Sequence, residues 1–179
     1  MNDKFQYRLS NEVKKEIAQN LIDILRKDVK ISEQTRIFIS NWILTGPDEK
    51  RKAFYDVWDI VLKNYLPTKR PILFRSCHRI SKNSKIKSFT GRIECARRFS
   101  KGKGSLIIYD TKESLRFEEE LYKIGNFKNT FYPLVDVLIK AKESGNSGFS
   151  QRILNNYIGE DEYIMRSEFD NIHTLKWTR

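Results

Sequence analysis

Three short clusters carry side chains that are odd for the elements around them. Arg75 follows the apolar Ile72-Leu73-Phe74 in a stretch with strand character. A guanidinium there needs a partner such as a phosphate or a carboxylate. Ser88-Phe89-Thr90, followed by Gly91, puts two hydroxyls on one face of a strand end and an aromatic ring on the other. The helical stretch behind it turns an N-terminus, which favours anions, toward the same end. Glu160-Asp161-Glu162 opens a late strand with three acids in a row. Alternation predicts Glu160 and Glu162 on one side, where like charges cost energy unless a cation lies between them or one carboxyl's pKa rises. Taken singly, each cluster also has an ordinary explanation: a structural ion pair, strand-to-helix punctuation, a solvated acidic turn.

The elements that must position these residues fall into two regions. Residues 1–66 read as helices. Ser10 is placed to cap a helix carrying Val13, Ile17, Leu21, Ile24 and Leu25, and Ser32 a second one carrying Ile37, Phe38, Trp42 and Ile43. After Thr45-Gly46-Pro47, Asp48 is placed to cap a third, with Phe54, Val57, Trp58, Val61 and Tyr65 on one stripe and Pro67 as its stop. Aromatic residues at this spacing read as core rather than as a cofactor box.

From residue 67 to 179 the pattern changes to a sheet core. Strands are predicted at Ile72–Ile80, Ile86–Thr90, Ser105–Tyr109, Glu162–Arg166 and Ile172–Trp177. Helices are predicted at Ile93–Ser100, with Ala96 and Phe99 inward, and at Leu134–Lys142 and Phe149–Tyr157, separated by a Ser- and Gly-rich loop. The fold class is α+β: a mixed β-sheet core behind a helical N-terminal region, one compact domain overall.

Composition narrows the classes. The 179 residues are 39% hydrophobic with 11 Phe, 8 Tyr and 3 Trp, against 8 Gly and 4 Pro, which excludes a disordered or collagen-like chain. No apolar run approaches the roughly 18–20 residues that span a bilayer, and the first residues lack a signal-peptide core. The expectation is a cytoplasmic protein that makes no membrane contact. Cys77 and Cys95 lack disulfide-framework and metal-ligand spacing and read as buried thiols in a reducing cytosol.

The formal net charge is +11. Twelve of the 34 basic residues and one of the 23 acids, Glu94, lie between Lys69 and Lys103, so the rest of the chain carries 22 of each. A field of that sign attracts phosphates of a dinucleotide or nucleic acid, or an acidic protein surface. Weaker signals lie nearby. Lys101-Gly102-Lys103-Gly104 lacks full Walker spacing and reads as a basic turn. Arg97 and Arg98 are explained equally as phosphate contacts or a solvated face, and His78 and His173 have no partner pattern for zinc or a triad.

The clusters gain meaning from their order. Leu73-Phe74-Arg75-Ser76, then Lys87-Ser88-Phe89-Thr90 with Ala96 and Phe99, then Glu160-Asp161-Glu162-Tyr163-Ile164, resembles the Arg-Ser-Glu class of mono-ADP-ribosyltransferases over about residues 71 to 166. Chain size, the helical N-terminal region and the Ser-Phe-Thr form look most like the small Mod/Alt-type enzymes of T-even-like bacteriophages. Ser76 stands where Gly often follows the Arg, and Ser88-Phe89-Thr90 replaces the more familiar Ser-Thr-Ser.

The resemblance implies an ADP-ribosyltransferase-like core at 67–179, with NAD+ as substrate and no metal. Arg75 would hold the NAD phosphate or nicotinamide ribose, and Ser76 would contact nicotinamide through its backbone. Ser88 would position Glu162, Phe89 would pack near the nicotinamide and Thr90 would brace the strand. Glu162 would be the catalytic residue and Glu160 would orient and deprotonate an acceptor arginine. The implied partners are host proteins of transcription or translation, acidic or nucleic-acid-associated, with nucleic acid as a docking surface or acceptor. Two other readings stand beside this one: a non-catalytic basic nucleic-acid-binding protein, and an NAD glycohydrolase.

Overall fold

The computed structural model describes residues 7–46, 50, 52–78, 86–121, 125–166 and 172–178. Three helices come first: α1 (Asn11–Lys27), α2 (Glu33–Leu44) and α3 (Lys52–Asn64). Ser10 and Ser32 cap the first two, each accepting a hydrogen bond at 3.2 Å, from the Val13 and Thr35 amides respectively. The predicted cap Asp48 lies outside the described residues. Phe38, Trp42, Phe54 and Trp58 are buried and meet edge-on or tilted, Phe38 and Trp58 at 5.3 Å and Trp42 and Trp58 at 5.7 Å between centroids. On α2 the inward position belongs to Ile39, and Ile37 is exposed.

The rest of the chain runs β1 (Ile72–Cys77), β2 (Ile86–Thr90), α4 (Ile93–Ser100), β3 (Ser105–Asp110), α5 (Thr111–Leu121), β4 (Thr130–Tyr132), α6 (Leu134–Glu143), α7 (Gln151–Ile158), β5 (Glu162–Arg166) and β6 (Ile172–Lys176). The strands form one sheet in the order β4-β5-β2-β1-β3-β6. Every described pairing is antiparallel where a mixed sheet was expected. The cause is topological. The crossover through α4 joins β2 to β3, which run the same way, but β1 lies between them, so no parallel pair forms.

The sheet is nearly divided. One bridge, Phe74 with Thr90, joins β1 to β2, whereas β1 pairs with β3 along its whole length and β2 likewise with β5. Each face has its own core. Ile86, Tyr132 and Ile164 pack with α1, α2, α3 and α6, so the N-terminal helices and the sheet share one apolar cluster. On the other face Leu73, Phe89, Ile107, Tyr109, Tyr163 and Met165 pack beneath Leu115 of α5 and Val135 of α6.

Four expectations need correction. Phe99 is 61% exposed; an eight-residue helix has one narrow inward stripe, and Cys95 and Ala96 fill it. Cys77 is only half-buried, and Cys95 alone is a buried thiol. The described part of the first strand ends at Cys77, with Arg79 and Ile80 outside the described residues. The acidic cluster does not open β5. Glu160 and Asp161 form a turn after α7, with Asp161 at a left-handed φ of 52°, and the strand begins at Glu162.

Candidate functional site

The register of β2 and β5 sets the centre of the site. Ser88 pairs with Ile164 and Thr90 with Glu162, so Ser88, Thr90 and Glu162 share the face toward the helices. Ser88 Oγ donates to Glu162 Oε1 at 2.6 Å. Trp42 Nε1 of α2 donates to the same oxygen at 3.0 Å. Both donors converge on Oε1, and among the described residues none is bonded to Oε2.

Arg75 sits where the β1–β2 ladder has just stopped. Its Nη1 donates to the Ser88 carbonyl at 2.6 Å, bridging the parted strands with a side chain where backbone pairing has ended. Burial pushes the guanidinium's pKa down, opposed by Cys77, Tyr55 and Glu162. A partly desolvated cation held by a neutral carbonyl retains attraction for an anion.

Glu160 is held by its backbone. Thr90 Oγ1 donates to the Glu160 carbonyl at 2.8 Å and accepts from the Arg92 amide at 3.1 Å. The Gly91 amide donates to the Asp161 carbonyl at 3.2 Å, and Arg92 Nη1 to that of Gly159, also at 3.2 Å. A side chain at Gly91 would meet the end of the Asp161 carboxylate and make it shift. Burial raises the Glu160 carboxyl's pKa and Glu162 raises it further, with Arg98 opposing. A raised pKa makes Glu160 a better base once ionised.

Sequence reasoning missed four contributors to the site. Lys50 Nζ lies 4.0 Å over the Trp42 ring and donates to the carbonyls of Trp42 at 2.7 Å and Thr45 at 2.8 Å, holding the end of α2 against the site. Burial lowers its pKa, and Glu162 opposes that shift. Tyr55 of α3 has its hydroxyl pKa raised by burial, with Arg75 opposing, and meets Trp42 edge-on at 6.2 Å. Tyr157 of α7 is raised by burial, then by Glu160 and Glu162. Trp42 was visible only as an apolar-stripe residue, since periodicity reports burial and not where an N–H points, and Tyr55 lies off the stripe predicted for α3.

One expected member stands apart. Phe89 is 3% exposed in the second core, on the face of β2 opposite Ser88, because adjacent strand residues alternate. The Ser76 hydroxyl accepts from Trp177 Nε1 at 3.0 Å. Among the described residues no group of three or more His, Cys, Asp or Glu gathers as a metal site, and no helix is long and apolar enough to cross a membrane.

The arrangement thus offers a carboxylate with one oxygen held, Glu162, a partly desolvated guanidinium, Arg75, and a second carboxyl, Glu160, whose pKa is raised by burial and by Glu162. Comparison with protein-family models, with curated proteins and with solved structures finds no match for this chain.

Proposed function

We propose that this chain is an NAD-dependent mono-ADP-ribosyltransferase with an ADP-ribosyltransferase-like core, modifying arginine of proteins and releasing nicotinamide. The observation that carries the reading is the 2.6 Å hydrogen bond from Ser88 to Glu162, made beside Arg75. The three residues that the family resemblance selects converge in one place, although Ser88 and Glu162 lie 74 positions apart in the chain.

Arg75 binds the anionic part of NAD. Glu162, with Oε1 held by Ser88 and Trp42, accepts a ribose hydroxyl on Oε2 and stabilises the positive charge that develops as the glycosidic C–N bond breaks. The bonding electrons leave with nicotinamide, neutralising its ring nitrogen. An arginine nitrogen of the target then bonds to the ribose carbon and loses a proton to Glu160. The proton transfer matters because arginine, with a free pKa above about 12, is otherwise fully protonated. Phe89 supports β2 from behind rather than touching nicotinamide, and Thr90 fixes the turn that carries Glu160.

The test is incubation with labelled NAD and a bacterial lysate, scoring labelled protein and free nicotinamide. Discrete labelled bands that disappear in Glu162→Gln are expected. Glu160→Gln is expected to remove most arginine transfer while sparing NAD hydrolysis. NAD left intact with every lysate overturns the reading, and nicotinamide release without labelled protein redirects it to hydrolysis.

A further inference from the structure

Three cations of α4 and its following turn, Arg97, Lys101 and Lys103, take no part in the site, while Arg92 and Arg98 reach its edge. Arg92, Arg97, Arg98, Lys101 and Lys103 are exposed, with Glu94 the one acid among them. Among the described residues none of the five forms a contact ion pair. Arg92 bonds the Gly159 carbonyl and faces the Asp161 charge, and Arg98 lies against the Cys95 thiol and faces Glu160, whereas no described acid faces Arg97, Lys101 or Lys103. Beside Arg98 stands Phe99, 61% exposed, with the guanidinium 5.6 Å from its ring centre. The turn is shaped by backbone at positive φ, 55° at Lys101, 67° at Gly102 and 78° at Gly104, which presents Lys101 and Lys103 beside the end of the helix.

We infer that this face binds a single-stranded polynucleotide. Clustered cations fit a phosphate backbone, and an exposed ring layered with a guanidinium is a platform for unpaired bases. An acidic protein fits less well. The exposed apolar residues of α4 are Ile93 and Phe99, far short of the apolar centre expected in a protein interface of roughly 800 Å² per partner. Polynucleotide binding needs no such area, because release of counterions drives it. The surface adjoins the Gly159–Asp161 turn through Arg92 and Arg98, yet binding there requires no NAD chemistry. The inference and the transferase reading therefore fail separately.

Anisotropy of fluorescein-labelled oligothymidine and oligouridine, each about twelve nucleotides, tests it across a salt series starting near 50 mM. Binding that weakens linearly in log–log form is expected. The triple variant Arg97→Ala, Lys101→Ala, Lys103→Ala should lower the slope by about 2, at about 0.7 per lost phosphate contact on a single strand. Phe99→Ala should weaken binding about tenfold with the slope unchanged, as for loss of one stacked base. All four side chains are exposed, and an unchanged melting temperature confirms that each variant is folded. The two oligonucleotides separate DNA from RNA as the natural source. Absence of binding, an unaltered slope in the triple variant, or displacement of the strand by polyglutamate at equal charge each overturns the inference, the last in favour of an acidic protein.

Discussion

The two faces of β2 are built from adjacent residues and are used in opposite ways. Ser88 and Thr90 point toward the N-terminal helices, where their hydroxyls bond the Glu162 carboxylate and the Glu160 carbonyl. Phe89, between them, points into a core of Leu73, Tyr109, Tyr163 and Met165 and lies 6.5 Å from the Tyr109 ring. One face spends its burial on orienting charge and the other on cohesion. The contrast teaches that neighbouring residues of one motif can serve different ends, because a strand sends alternate residues to opposite sides.

The largest way to break this division is on the cohesive face. Phe89→Ala is expected to cost about 3–5 kcal/mol of stability, as for a fully buried aromatic, read as a lower urea midpoint. Activity per folded molecule should change little. The converse variant is Glu162→Gln, which keeps an acceptor oxygen for Ser88 and Trp42 and removes the charge. It should lower kcat about 100- to 1000-fold, the range for losing one preorganised electrostatic group, while the urea midpoint holds. If Glu162→Gln unfolds the protein or Phe89→Ala abolishes turnover at full folding, the two faces are not separable as described.

How far this arrangement was legible depended on distance along the chain. β2 and α4 are bounded as the pattern predicts, Ile86–Thr90 and Ile93–Ser100, because Gly91 breaks the chain between two short periodic runs. The order Arg75, Ser88, Glu162 was legible as residue types. α5 was not, since Thr111–Leu121 is mostly polar and covers the second core through Leu115, and β4 is three residues long, too short for alternation to register. Trp42 was read as packing alone. Its ring does pack, but its N–H meets a carboxylate 120 positions away, a pairing fixed by how α2 docks on the sheet and by nothing local. Phe99 was read as inward on residue type, while eight residues of helix leave room for only one buried stripe.

Trp42 also supplies a smaller test of the same division, because it belongs to both uses at once. Trp42→Phe keeps an aromatic ring in the first core and deletes the bond to Glu162 Oε1. Hydrogen bonds to charged groups contribute about 1.5–3 kcal/mol. A fall in kcat of about tenfold with KM for NAD unchanged is therefore expected, since the proposed transferase mechanism holds NAD through Arg75. A purely structural role for the indole would lower the melting temperature and leave kcat per folded molecule where it was. Lys50, which stacks on the indole, is expected to loosen in the same variant.

The smallest expected effect concerns the cost of the polar face to folding. Burial and Glu162 raise the Glu160 carboxyl above its ordinary value, so in the folded protein it binds a proton that the unfolded chain has already released. Between the unfolded and folded pKa values stability therefore falls as pH rises, and above the folded value the cost is fully present. Glu160→Gln removes the titrating charge and should raise the melting temperature slightly at neutral pH. The gain should shrink as pH drops, vanishing below the usual carboxylate range, where wild-type Glu160 is protonated in both states. A difference that instead grew toward acid would mean that Glu160 is stabilised as a carboxylate in the fold, the opposite of a group kept ready to take a proton.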